Sequence, residues 1–273
     1  QRQVGMPVIG RGPDRHGASS LVLLDFQTIQ GLGPTSMKRT SMRIAILMAN
    51  TDESDFAQRH PDDGAKFTAL LHRVRPDWSF EVFRIIAGEV PPDLDFDGLL
   101  ITGSPASVHD TADWITRLEE TVRAAVAQNL PLFGACFGHQ IIAKALGAQV
   151  GYNPQGWVLG RVETMTQPEG RTLPVYAAHK EQVLSLPEGA HIVARTTGCD
   201  IAGFAIGQHV LTTQYHPEMT QDFIAALLLA FEDQIGADVT RRAADTLEQR
   251  TDMDALASWI AQFYEIAQIA PRI

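Results

Sequence analysis

Residues 132–146 read Leu-Phe-Gly-Ala-Cys-Phe-Gly-His-Gln-Ile-Ile-Ala-Lys-Ala-Leu, and the fold turns on them. Cys136 sits where an apolar run ends and a helical pattern begins, with Gly134 and Gly138 two residues to either side. This is the pattern of a nucleophile elbow, a sharp strand-to-helix turn that pushes one side chain out of a sheet. Small residues flank such a turn because the backbone crowds itself there. The helix start sets backbone N–H groups and a partial positive charge beside the sulfur, which favours thiolate and leaves donors for an oxyanion. A buried cysteine in a glycine-containing turn has the same local sequence, so the stretch alone leaves both readings open.

A second stretch, Gln214-Tyr215-His216-Pro217-Glu218, follows the apolar run Val210-Leu211-Thr212-Thr213. Pro217 keeps His216 out of the helical region. Residues two apart in extended chain project to one side, so His216 and Glu218 are expected to point together. An imidazole oriented by a carboxylate is the base of a catalytic triad. A surface turn is the plain alternative for His-Pro-Glu taken by itself.

Working outward, Ile44 to Met48 is a short buried-strand run, and Asp62 to Val74 has helical spacing with Phe67, Leu70, Leu71 and Val74 on one face. Strands are predicted over 80–85, 99–102 and 130–135, and helices over 114–126 and 138–146. Strands that alternate with helices imply a parallel sheet with crossover helices, its site at the carboxyl ends of the strands. From 148 to 213 the texture changes to strand-like pieces at 158–164, 173–178, 191–196, 201–206 and 209–214, a partly antiparallel second half. Helix returns over 221–235, and 238–268 reads as two amphipathic helices. Their apolar stripe is either packing on the domain or a partner face. Residues 1–41, rich in Gly, Pro, Ser and Arg, read as a mostly disordered leader or non-native extension, with one possible strand in 19–29. The expected division is therefore 1–41, a main domain over 42–235, and a C-terminal helical extension over 236–273.

Composition narrows the function. The formal net charge of −10 argues against nucleic acid and anionic membrane surfaces as partners. No apolar run is long enough for a membrane span. Two cysteines offer at most one disulfide, which fits a reduced, cytoplasmic setting. Cys199, in Thr197-Gly198-Cys199-Asp200, reads as a turn residue, and His139 as packing. Nine histidines without ligand spacing, and no phosphate loop, point to no metal and no cofactor.

Gly134-Ala135-Cys136-Phe137-Gly138-His139-Gln140 followed by His216-Pro217-Glu218 resembles a class I glutamine amidotransferase domain. The resemblance covers about residues 43–235 and includes Thr102-Gly103-Ser104-Pro105 and Ala178-His179-Lys180-Glu181-Gln182-Val183. Within that family the chain looks most like stand-alone members similar to the amidotransferase half of GMP synthase and to gamma-glutamyl peptidases. The resemblance implies an α/β, flavodoxin-like architecture, a mostly parallel central sheet flanked by helices. It implies a Cys136–His216–Glu218 triad that hydrolyses glutamine or a gamma-glutamyl amide through a thioester. The helix start gives Phe137 N–H as one oxyanion donor; the resemblance assigns the other to Ser104 N–H, with Gly103 shaping the turn. Gln140, at i+4 from Cys136, is expected to bind substrate. By resemblance so is the segment of His179, Lys180 and Glu181, where Lys180 replaces the family's usual glycine. A small gamma-glutamyl substrate is the expected partner. The alternative is a glutaminase subunit that feeds ammonia to a separate synthase.

Overall fold

Ile44 to Met48 are all buried, as a strand covered on both faces must be, and they form β1 (Arg43–Met48). The computed structural model describes residues 41–167 and 170–269; the leader read from 1–40, with its 19–29 strand, lies outside them. The helices are α1 (Asp55–Gln58), α2 (Asp63–His72), α3 (Asp113–Ala127), α4 (Phe137–Ala145), α5 (Gln221–Ala230), α6 (Glu232–Ile235), α7 (Ala237–Asp245) and α8 (Met253–Ile269). The remaining strands are β2 (Ser79–Arg84), β3 (Gly98–Ile101), β4 (Leu132–Ala135), β5 (Val150–Tyr152), β6 (Val158–Thr166), β7 (Thr172–His179), β8 (Glu181–Val183), β9 (Ala190–Thr196), β10 (Cys199–Ile206) and β11 (Val210–Thr213).

The described strands make a nine-stranded sheet ordered β2-β1-β3-β4-β11-β10-β9-β6-β7. From β2 to β11 every neighbour is parallel, and from β11 to β7 every neighbour is antiparallel. The parallel half carries the crossover helices and the antiparallel half the run of short strands expected after residue 148. One face packs Leu47, Leu99, Ile101 and Leu132 against Ile115, Leu118 and Val122 of α3 and Ile141 of α4. The other packs Ile44, Ile46, Leu100 and Phe133 against Phe67 and Leu70 of α2 and Ile260 and Tyr264 of α8. The last helix is thus a layer of the core. Its Tyr264 hydroxyl donates to the Leu99 carbonyl at 2.7 Å, and its Glu265 pairs with Arg75 at 2.5 Å.

Three features depart from the sequence reading. The helix expected over 221–235 breaks at Phe231 (φ −117°, ψ 16°), whose ring meets Phe56 edge-on with centroids 5.5 Å apart. A small second sheet pairs β5 with β8, two strands too short to announce themselves. Cys199 opens β10, fully buried and paired with Thr196, because the turn is completed one residue earlier at Gly198 (φ 81°).

Candidate active site

The register of β3, β4 and β11 sets the geometry. Ile101 lies beside Gly134, and Thr213 beside Ala135, so three parallel strands end side by side. Just past these ends stand Gly103-Ser104, Cys136 and His216. Cys136 holds φ 51° and ψ −104°, a conformation that costs a non-glycine residue about 1–3 kcal/mol. The turn is held from both sides. Cys136 N–H donates to the Thr213 carbonyl at 2.9 Å, and Gly138 N–H donates to the Thr102 carbonyl at 3.2 Å. A Cβ on Gly134 would lie 2.6 Å from the Gly138 carbonyl carbon, and one on Gly138 would collide with the Ile101 carbonyl oxygen. The glycines permit α4 to start this close to β3 and β4.

His216 and Glu218 meet as expected, His216 Nδ1 lying 2.8 Å from a Glu218 carboxylate oxygen, but by a different route. Met219 N–H donates to the His216 carbonyl at 3.4 Å, closing a turn with Pro217 in its favoured second position. The pair is buried, and His216 Nε2 has no hydrogen-bond partner among the described residues. Burial works against an imidazolium here. Cys136 and the Glu218 carboxylate outweigh it and raise His216 well above the ordinary histidine range. A Cβ placed on Gly103 would lie 2.9 Å from His216 Cε1 and 3.7 Å from Cys136 Cβ, so the imidazole and the cysteine flank the same glycine. Among the described residues, neither Phe137 N–H nor Ser104 N–H donates to another backbone or side-chain group.

Gln140, His179 and Glu181 have other partners. Gln140 Nε2 donates to the Glu181 carbonyl at 2.7 Å and to Gln214 Oε1 at 3.2 Å. His179 Nδ1 contacts the same carbonyl at 3.0 Å, and the Glu181 carboxylate accepts from Ser107 Oγ at 3.0 Å. Lys180 is exposed, its Nζ 5.4 Å from the Trp157 ring centre. None of the four lines the cavity of about 400 Å³ that opens onto Cys136, Ser104 and His216. Gln140, His179 and Glu181 form a buried hydrogen-bonded layer instead, as buried polar groups do when they satisfy one another. Burial, with His216 nearby, lowers His179 to about 4. Burial, with His179 nearby, lowers His139 to about 3. Sequence reading passed over Gln214. Its fully buried amide donates to Cys136 Sγ at 3.8 Å while its oxygen accepts from Gln140, tying the sulfur to that layer. The only signal in the sequence was a polar residue closing an apolar strand.

A cysteine at a strand-to-helix turn, a histidine–carboxylate pair beside it and free amides at the helix start suit acyl transfer from an amide on an α/β sheet. The chain belongs to the class I glutamine amidotransferase family, whose profile, "Glutamine amidotransferase class-I", matches residues 61–228. It is an amidohydrolase of that type. It is 29% identical over 198 residues to gamma-glutamyl peptidase 3 of Arabidopsis thaliana, covering 67% of this chain and 79% of that protein. It is 29% identical over 160 residues to the glutamine-hydrolyzing GMP synthase of Aeropyrum pernix, covering 56% of this chain and 30% of that protein. A glutamine amidotransferase from Thermotoga maritima shares the fold, with a TM-score of 0.65 at 17% identity, covering 84% of this chain and 98% of that one.

Proposed function

We propose that the chain hydrolyses glutamine or a gamma-glutamyl amide through a gamma-glutamyl thioester on Cys136, with the strand-to-helix turn acting as a nucleophile elbow. The observation that carries this is the meeting of Cys136 and the His216–Glu218 pair around Gly103. His216 Nε2, whose raised value favours the imidazolium, holds the proton taken from the Cys136 thiol before Sγ attacks the δ-carbonyl. Glu218 accepts from Nδ1–H, fixes the tautomer and stabilises the imidazolium. The oxyanion sits between Phe137 N–H and Ser104 N–H, each such donor being worth about 3 kcal/mol in the transition state. His216 returns the proton to the departing amine. A water activated by the same nitrogen then cleaves the thioester to glutamate and free thiol. Gln214 and Gln140 position the sulfur from below. Residues 42–235 form the amidotransferase-like domain in this reading, and the described residues beyond them, 236–269, a helical extension against it.

The test is glutamate release by the purified chain from glutamine and a set of gamma-glutamyl compounds, with Cys136→Ala as control. Turnover by the chain alone supports the hydrolase. A chain silent until a synthase is added would point to the alternative, a glutaminase subunit.

A further inference from the structure

The cavity over Cys136 is lopsided. Phe223 and Leu227 of α5, Phe231 at the break after it and Ile235 of α6 supply an apolar wall, continued by Trp157 and Leu159. Phe56 closes it, its ring centroid 5.4 Å from Phe223 and 5.5 Å from Phe231. The lining also holds the polar and acidic Asn50, Asp52, Glu53 and Asp63. No lysine or arginine occurs among the described lining residues. Lys66, behind Phe223, is paired with Asp63 at 2.9 Å, whereas Asp52 and Glu53 have no cationic partner among the described residues. Lys180 lies over the Trp157 and Tyr152 rings at 5.4 Å and 5.9 Å, and Arg84, paired with Asp62, lines an adjoining cavity with Asp52 and Glu53.

Ammonia as leaving group would leave the aromatic wall facing water, although that wall favours an apolar body. A leaving group with a carboxylate would add a second anion, beside the glutamyl carboxylate, to a cavity whose described lining holds Asp52 and Glu53 and no lysine or arginine. Resting on the hydrolase reading above, we infer that the preferred substrate is a gamma-glutamyl amide of an apolar, preferably aromatic, amine that carries no carboxylate. The C–N bond breaks as the C–S bond forms, and the amine leaves with the proton from His216. Water then supplies the oxygen that replaces sulfur, so one substrate and one water give one glutamate and one amine.

Three compounds test this on the full chain: glutamine, gamma-glutamylphenethylamide and gamma-glutamylphenylalanine, the last two differing only by a carboxylate. The phenethylamide should exceed each of the others in kcat/KM by about tenfold or more. Asp52→Asn with Glu53→Gln should narrow the gap between the two aromatic compounds. Phe223→Ala should lower the ratio of phenethylamide to glutamine turnover. Glutamine or gamma-glutamylphenylalanine as the best substrate of the wild-type chain would overturn the inference while leaving the hydrolase standing. A preference for gamma-glutamylphenylalanine that disappears in Lys180→Gln would show which cation had been misjudged. No glutamate from any of the three would remove the hydrolase reading and this inference with it.

Discussion

Gly103 stands where His216 leaves no space for a methyl group. Gly103→Ala should therefore displace the imidazole and cost about a hundredfold in kcat, as small misplacements of a reacting group do, with little change in Tm. Activity and thermal melts on one preparation check both halves of that statement. The two cysteines should separate just as clearly. Burial, then the charge of Asp200, pushes the Cys199 thiol up to about 12, so iodoacetamide at neutral pH should alkylate Cys136 and spare Cys199. Mass spectrometry of the labelled chain decides this, and label on Cys199 would count against the site. His216 carries a pH signature. Its raised value means that its share of stability is fully present below the usual 6.5 and is lost as pH rises through the folded value. Glu218→Gln removes one of the two charges that raise it. The Tm gap between wild type and Glu218→Gln should be widest below pH 6.5 and shrink toward alkaline pH.

At the scale of elements, α8 offers the sharpest measurement. Ile260 is fully buried in the layer that α8 shares with α2, and Ile260→Ala should cost about 2–5 kcal/mol in denaturant unfolding. Tyr264→Phe, which removes the hydrogen bond to Leu99, should cost about 1 kcal/mol. A value near zero for Ile260→Ala would mean that α8 is dispensable to the core. The strands and helices of the parallel half were legible because their signals are local: apolar runs of strand length, helical spacing, and glycines around one cysteine. The β5–β8 ladder was not legible, since Gly151 opposite Gln182 and Tyr152 opposite Glu181 have no pattern until the chain brings them together. The pairing of His216 with Glu218 was legible from spacing, yet the turn that makes it was not. Gln214 and the Glu181–Ser107 contact depend on neighbours far along the chain, and local sequence does not report those.

Across the whole molecule, two buried histidines set the response to acid. His139 and His179 are held neutral, at about 3 and about 4, whereas unfolded chain protonates them near 6.5. Protons therefore favour the unfolded state as pH falls from 6.5 toward 4, and Tm should drop across that interval. His139→Asn should flatten the drop even where it lowers Tm at neutral pH, and an unchanged slope would mean that His139 does not govern it. The strand order carries another consequence. β11 is the last strand in sequence, yet it lies in the middle of the sheet, between β4 and β10. The cysteine and the histidine of the proposed triad are thus contributed by segments that become neighbours only when the sheet is closed from both sides. A chain still emerging from the ribosome, or one cut before Val210, holds the cysteine without the partner that arms it. On the proposed mechanism, hydrolytic activity is then a certificate of completed folding, and no half-built intermediate brings the cysteine and histidine together among the amides of the cell.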